Sequence, residues 1–363
     1  SSCVAAISQV SGPCAWVGQD LAASDRWVRE LLPDHLDGLD AALSEVERRG
    51  LAWHEITPDD FPLPGLTNLI EEIRAELETG CGLMKLKGVP TGRYSEDQLR
   101  KVYFGLGVNV GTPVHQNRRG ELMRFIRDEG ALVGEKYGQI DQATMQGGKR
   151  FLSSYARTLT NGPLRFHTDR TDVVSLLCVN QAASGGVSTL CSSPAVMNEM
   201  LRRRPDLAQV LLEPYFRSRH GEESDSADAV YPLPVFGLCD GQFTSHFSLT
   251  YIEAAQTVDG VPKLTKAQKE ALTLLLELAG ELAFEMILEP GDIQFLNSHV
   301  TYHGRTPFED DPDSERSRLL MRLWLSMPNS RALPQDHRVL WRNVEAGLVR
   351  GGIGQTETGN PNE

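Results

Sequence analysis

A histidine and an aspartate two positions apart form the pair in this sequence that is best suited to hold a metal ion. They lie in residues 164–170, which the sequence predicts as a strand. Side chains alternate along a strand, so Arg165, His167 and Asp169 should share one face. A third ligand is needed, and the best candidate lies far downstream at His303. Two histidines and one carboxylate are the facial triad of non-haem Fe(II) sites, whereas the simpler alternative is a loop pair or a surface ion pair.

Two arginines embedded in an apolar strand near the end of the chain indicate a bound anion. In residues 317–327, Arg318 and Arg322 should share one face with Leu320 and Trp324. A buried guanidinium is costly unless it meets an anion, and arginine can bind a carboxylate through two parallel hydrogen bonds. The alternative is a pair of interior salt bridges.

Composition excludes several other classes of protein. The chain has 363 residues and a formal net charge of -13, with 36 basic and 49 acidic residues. The basic residues are dispersed, so we expect neither a nucleic-acid partner nor an anionic membrane surface. No apolar run approaches the roughly 18 residues that span a bilayer. The six cysteines form no CxxC pair and no zinc-like spacing, which favours a reducing, cytoplasmic setting.

The elements around the candidate site predict a mostly β fold with flanking helices, of the α+β class. Many short strands follow residue 150 and form a barrel-like core, while the helices precede it or lie between its strands. Three regions are expected: an N-terminal extension packing on the core (1–65), the main domain (66–350) and a disordered tail (351–363).

Local signals predict several element boundaries. Residues 25–32 and 39–48 are predicted to be helices, and in the second range the apolar residues recur at helical spacing. Ser95 should cap a further helix, which Gly105 and Gly107 should end. Residues 129–150, glycine-rich and polar, are predicted as a loop beside the metal strand.

Four pieces occur in the order found in one known family. They are Phe166-His167-Thr168-Asp169, Gly185-Gly186-Val187-Ser188-Thr189, Pro290-Gly291-Asp292 with Asn297 and His303-Gly304-Arg305, and Arg318-Leu319-Leu320-Met321-Arg322. Over residues 66–330 the sequence resembles the taurine dioxygenase-like, or clavaminate synthase-like, branch of the Fe(II)/2-oxoglutarate-dependent oxygenases. The resemblance implies a double-stranded β-helix, or jelly roll, and the cofactors Fe(II), 2-oxoglutarate and O2.

The resemblance also implies roles for individual residues. His167, Asp169 and His303 would bind Fe(II), with His299 as the rival third ligand. Arg318 would bind the distal carboxylate of 2-oxoglutarate, although Arg316 remains an alternative. Ser188, or its neighbour Thr189, would bind the same carboxylate. Arg322 would bind an acidic group of the substrate or assist with the cosubstrate. Tyr155 would contact the substrate, with a packed core residue as the alternative.

The function expected from these residues is oxidation of a C–H bond in a small, carboxylate-bearing molecule. Hydroxylation, desaturation and cyclisation all remain open, as does the oligomeric state, a homodimer included. Three alternatives remain: an iron oxygenase that uses the triad without 2-oxoglutarate, a metal-dependent hydrolase, and a β-barrel binding protein without catalysis.

Overall fold

Two β-sheets form the centre of the protein. The structure, a computed structural model, describes residues 8–129, 139–140, 151–152, 159–219, 229–313 and 317–363. The larger sheet runs, in spatial order, through β1 (Val28–Glu30), β2 (Leu83–Lys87), β16 (Ile293–Asn297), β8 (Val173–Asn180), β19 (Leu319–Ser326) and β3 (Thr112–Pro113), and β4 (Arg124–Ile126) also pairs with β19. The smaller sheet runs through β15 (Phe284–Met286), β10 (Ser188–Ser192), β17 (Thr301–Arg305) and β7 (Leu164–His167).

Shorter antiparallel pairs surround the two sheets. They are β5 (Gln139–Ile140) with β6 (Phe151–Leu152), β9 (Ser184–Gly185) with β18 (Phe308–Glu309), β11 (Pro214–Ser218) with β12 (Val230–Pro234), and β13 (Phe236–Cys239) with β14 (Gln242–Ser245).

The inner faces of the two sheets pack against each other. Val174 and Trp324 of the larger sheet belong to the same buried apolar cluster as Leu190 and Met286 of the smaller sheet. This sandwich confirms the predicted jelly-roll core with flanking helices. It also leaves polar side chains of both sheets facing a cavity between them.

Helices cover the outer faces of both sheets. The larger sheet packs on α2 (Pro33–Arg49), α3 (Thr67–Glu78) and α4 (Glu96–Val110), and the smaller sheet on α5 (Ser193–Arg203) and α8 (Lys266–Leu282). The other helices are α1 (Gly18–Ala22), α6 (Pro205–Val210), α7 (Leu249–Ala255) and α9 (Arg338–Trp341), with 3-10 turns at Trp53–Glu55, Pro58–Asp60, Pro64–Leu66 and Gln335–His337. Within the described ranges, no helix combines the length and apolarity needed to cross a membrane.

Tertiary contacts override the predicted end of α4. Ser95 caps this helix as expected, its hydroxyl accepting a hydrogen bond from the Gln98 amide at 3.1 Å. The helix nevertheless continues through Gly105 and Gly107 to Val110. A Cβ atom on Gly105 would lie 2.5 Å from the Phe61 ring, so the glycine permits close packing and does not end the helix.

The predicted helix over residues 25–32 is wrong, because Val28–Glu30 forms β1. This strand lies parallel to β2, and the Lys85 amide donates to the Trp27 carbonyl at 2.7 Å. Part of the N-terminal extension thereby lengthens the larger sheet.

The C-terminal segment, for which the sequence predicts disorder, follows a defined path along the core. The Gly352 amide donates to the Arg170 carbonyl at 2.7 Å, and the Ile353 amide donates to the His115 carbonyl at 2.8 Å. Directly before this segment, Arg350 is buried and donates to the Asp172 carboxylate at 2.9 Å. These long-range partners could not be identified from local composition.

Candidate metal centre and anion cavity

Three side chains meet at one end of the cavity between the sheets. His167 ends β7, Asp169 follows it, and His303 lies on β17 directly opposite His167. Asp169 Oδ1 lies 3.5 Å from His167 Nε2, and Asp169 Oδ2 lies 3.6 Å from His303 Nε2. One ligand atom from each residue falls within 4.8 Å of the others, so a single ion can contact all three.

The protonation of these groups suits a divalent cation. His167 Nδ1 lies 2.7 Å from the Arg165 carbonyl and donates its proton there, which leaves Nε2 as the free ligand atom. Burial, with the nearby His167, lowers the pKa of His303, so this imidazole is neutral near pH 7. Burial would raise the pKa of Asp169, but both imidazoles and Arg322 outweigh it and hold that pKa well below its usual value.

The donor set fits Fe(II). Asp169 Oδ2 is buried and has no hydrogen-bond partner within the described ranges, so it has a lone pair available. Two imidazoles and one carboxylate form the facial arrangement typical of non-haem iron, with further positions open to the cavity.

The predicted alternation along residues 164–170 holds only in part. Pairing between β7 and β17 shifts register between His303 and Arg305, which is a β-bulge. As a result Leu164 lines the cavity together with His167, whereas Arg165 is exposed and donates to Glu253 at 3.2 Å.

The rival ligand His299 lies in a different site. It precedes β17, and its Nε2 lies 2.8 Å from Asp172 Oδ1 while Nδ1 lies 2.7 Å from the Thr244 hydroxyl. Burial lowers the pKa of His299 to about 4, so Nε2 donates to the carboxylate and Nδ1 accepts from the hydroxyl. Both ring nitrogens are therefore occupied.

Arg318 directly precedes β19, in the sheet opposite the histidines, and lines the same cavity. Burial lowers its pKa to about 10, so it remains charged near pH 7, and its Nη1 has no hydrogen-bond partner in the part of the chain that the structure describes. Ser188 of β10 lines the cavity with it, whereas Thr189 is absent from the wall described. Arg316 and Tyr155 lie outside the described residues.

Gly186 permits the approach of Arg318. Its φ is +69°, and a Cβ atom would lie 2.7 Å from Arg318 Nε. If Arg318 binds 2-oxoglutarate, as the family resemblance implies, we expect Gly186→Ala to displace this guanidinium, weaken cosubstrate binding about tenfold and destabilise the fold by about 1 kcal/mol. Ligand titration and urea unfolding measure the two effects. Gly354→Ala, where a Cβ atom meets nothing within 4 Å, is the control, and an unchanged cosubstrate affinity in Gly186→Ala would contradict the packing argument.

Arg305 and Arg322 add to the positive charge of the cavity wall. Burial, with the charge of Arg318, lowers the pKa of Arg305 to about 9. Both Arg305 and Arg318 flank the Phe308 ring, with guanidinium carbons 5.0 and 4.9 Å from its centroid. Arg322 Nη1 lies 3.8 Å from Asp169 Oδ2. Among the described wall residues, Asp169 is the only acid, so the cavity attracts anions.

Sequence reasoning missed two polar residues of this region. Gln294 on β16 lines the cavity. A polar side chain between apolar neighbours on this strand could have indicated that it faces a polar interior. Gln116 is buried in a loop and accepts a hydrogen bond from Arg322 Nε at 2.8 Å. No periodicity or motif marks Gln116, because its partner is 206 positions away.

Comparison with known proteins agrees with this geometry. Residues 47–324 match the family model described as taurine catabolism dioxygenase TauD, TfdA family. FR-33289 synthase of Streptomyces rubellomurinus is 28% identical over 333 residues, covering 90% of this chain and 92% of that protein. A taurine hydroxylase-like protein of Stachybotrys chartarum is 27% identical over 340 residues, covering 90% and 80%.

Two solved structures share the fold at low sequence identity. Asparagine oxygenase, in complex with Fe(II), 3-hydroxyasparagine and succinate, has a TM-score of 0.59 at 17% identity, covering 89% of this chain and 100% of that one. The non-haem iron oxygenase OrfP, with Fe and alpha-ketoglutaric acid, has a TM-score of 0.57 at 14% identity, covering 82% and 94%. The family match extends over most of the chain. The protein therefore belongs to the TauD/TfdA family of Fe(II)- and 2-oxoglutarate-dependent dioxygenases.

Proposed function

We propose that His167, Asp169 and His303 hold the catalytic Fe(II) and that Arg318 and Ser188 bind the distal carboxylate of 2-oxoglutarate. The substrate is a small acid that is oxidised at a C–H bond. The observation that carries this proposal is the convergence of the three ligand atoms on a cavity whose opposite wall contains a buried, charged arginine.

The positions of the arginines support the cosubstrate assignment. Among the described residues, Arg318 Nη1 is buried without a hydrogen-bond partner, and Nη2 makes a 3.4 Å contact with the Gly186 carbonyl. A carboxylate would satisfy this guanidinium through two parallel hydrogen bonds and offset the cost of its burial. Ser188 lines the same cavity, so its hydroxyl is placed to donate to that carboxylate.

The excess positive charge supports an acidic substrate. Arg305, Arg318 and Arg322 all line the cavity, against one acid, Asp169. Arg322, at the metal end, is placed to meet an acidic group of the substrate or the near end of the cosubstrate. The amino acids bound in two related complexes, 3-hydroxyasparagine in asparagine oxygenase and (3S)-hydroxy-L-Arg in an OrfP variant, also carry a carboxylate. Tyr155 remains a predicted substrate contact.

When bound, Fe(II) with 2-oxoglutarate and O2 supplies an oxidant strong enough to abstract hydrogen from an unactivated carbon. The residues of this chain position the ligands and substrate and exclude water. The apolar wall, which includes Leu164, Val174, Leu176 and Leu320, keeps the reacting carbon in a dry environment.

An anaerobic titration of Fe(II)-loaded protein with 2-oxoglutarate tests the proposal. We expect a weak visible charge-transfer band, the signature of a chelated 2-oxo acid, with saturation at one equivalent. Succinate, which lacks the 2-oxo group, is the matched ligand control and should give no band. Iron binding without a charge-transfer band would contradict the cosubstrate assignment.

We also propose a reducing, cytoplasmic location. Cys14, Cys81, Cys178, Cys191 and Cys239 are all unpaired within the described part of the chain, as expected where thiols stay reduced. A homodimer remains a further proposal, which light scattering at several protein concentrations can test.

A further inference from the structure

The loop between β3 and β4 reaches the metal end of the cavity through one buried side chain. Gln116 is 1% exposed, and its Oε1 accepts a hydrogen bond from Arg322 Nε at 2.8 Å. Its Nε2 donates to the Arg322 carbonyl at 2.8 Å and to the Leu122 carbonyl at 3.1 Å. One amide therefore binds both the backbone and the side chain of Arg322.

Arg322 in turn stands beside the metal carboxylate. Its Nη1 lies 3.8 Å from Asp169 Oδ2, and its guanidinium carbon lies 5.0 Å from the centre of the Trp324 ring. The ring supports the guanidinium, and Gln116 fixes its Nε. Together, the Trp324 ring and the Gln116 hydrogen bond favour the rotamer of Arg322 in which Nη1 points toward Asp169.

The C-terminal segment, residues 350–363, holds the loop on both sides of Gln116. On one side, the Ile353 amide donates to the His115 carbonyl at 2.8 Å. On the other side, Asn362 Oδ1 accepts from the Leu122 amide at 2.9 Å. Asn362 Nδ2 also donates to the Gly120 carbonyl at 3.1 Å.

The segment also extends into the protein interior. Arg350 Nε donates to Asp172 Oδ1 at 2.9 Å, and its amide donates to the Ser326 hydroxyl at 3.0 Å. Asp172 lies three positions after Asp169, and Ser326 lies at the end of the strand that carries Arg322. The segment thus joins the Gln116 loop to the two elements that carry the site.

We propose that Gln116 is a positioning residue for the dioxygenase site and that the C-terminal segment maintains its position. Gln116 acts through Arg322, which it holds beside Asp169 for contact with the bound anion. This inference rests on the proposed function, because it takes the anion at Arg322 to be the near end of 2-oxoglutarate.

A double-mutant cycle tests the first half of the proposal. In the anaerobic charge-transfer titration, we expect Gln116→Leu to raise the dissociation constant of 2-oxoglutarate about tenfold to a hundredfold, the loss expected when a hydrogen bond to a charged group is removed. The double variant with Arg322→Leu should bind no more weakly than Arg322→Leu alone, because Gln116 acts through that side chain. Additive losses would overturn the proposal.

Asn109→Leu, at a half-buried position, is the control for the loss of an amide that donates two hydrogen bonds. Asn109 Nδ2 donates to the Phe61 and Gly105 carbonyls, both at 2.8 Å, away from the described cavity wall. It should lower the thermal midpoint and leave the dissociation constant of 2-oxoglutarate within twofold. A loss of binding in Asn109→Leu equal to that in Gln116→Leu would show that Gln116 stabilises the fold without positioning Arg322.

Asn362→Ala tests the second half without altering the cavity wall. We expect a three- to tenfold rise in the dissociation constant of 2-oxoglutarate and no further rise when Gln116→Leu is added. Thr358→Ala, at an exposed position of the same segment, should have no effect. An unchanged affinity in Asn362→Ala would overturn the role of the segment. If unmodified protein binds iron but shows no band, the proposed function has failed; a normal band with unaffected variants rejects only this inference.

Discussion

Replacing His303 by alanine should abolish iron binding at micromolar Fe(II) and leave the protein folded. The variant retains one imidazole and one carboxylate, so we expect Fe(II) affinity to fall at least a hundredfold, since even outer partners of a metal site contribute tenfold to a hundredfold. The free energy of unfolding should change little, because burying the imidazole of His303 next to His167 is itself unfavourable and the variant avoids this cost. Anaerobic Fe(II) titration and urea unfolding measure the two quantities.

His299→Ala is the matched control, four positions earlier, and should show the opposite pattern. It removes hydrogen bonds to Asp172 and Thr244, and His299 is not among the three proposed ligands. Asp172 keeps Arg350 and the Met327 amide, at 2.9 and 3.0 Å, so we expect a loss of about 2 kcal/mol in the free energy of unfolding. One equivalent of Fe(II) should still bind. Loss of iron from His299→Ala with retention in His303→Ala would reverse the assignment.

Replacing Arg318 by alanine should remove the ability to bind 2-oxoglutarate at ordinary concentrations while sparing iron. The loss of a buried charged partner costs about 2–5 kcal/mol, which corresponds to roughly thirty- to several-thousandfold in the dissociation constant. Fe(II) affinity should stay within about twofold, because Arg318 is not among the three ligands. The charge-transfer titration measures the cosubstrate and a separate Fe(II) titration measures the metal.

Arg316→Ala is the control for this assignment, because the sequence leaves Arg316 as an alternative. We expect its dissociation constant for 2-oxoglutarate to stay within twofold of the unmodified protein. Arg318→Lys should retain part of the affinity, since lysine keeps the charge but loses the bidentate geometry. If Arg316→Ala weakens binding and Arg318→Ala does not, the distal carboxylate is bound by Arg316.

The sequence by itself determined the elements whose signals are local. Alternation along β19 correctly placed Arg318, Leu320 and Arg322 toward the cavity, because the apolar residues between them must face the helices. The hydroxyl of Ser95 marked the start of α4, because an N-cap acts within its own first turn. The ordered motifs also led to the family that the comparisons show.

Only the tertiary structure decided features that depend on distant partners. Gly105 lies inside α4, because Phe61, 44 positions earlier, occupies the space that a side chain would need. Leu164 replaces Arg165 in the cavity wall, because the pairing of β7 with β17 contains a bulge.

The same cause explains the remaining differences at the site. His299 and His303 are four positions apart, so strand alternation predicts the same face for both, and the sequence alone could not decide which one is the ligand. In the structure, Asp172 and Thr244 occupy both ring nitrogens of His299. Gln116 and the C-terminal segment carry no motif, since their roles arise from hydrogen bonds to Arg322 and to the loop around Gln116. The sequence determined which side chains are capable of the chemistry. Packing and pairing between distant segments decided which of them meet.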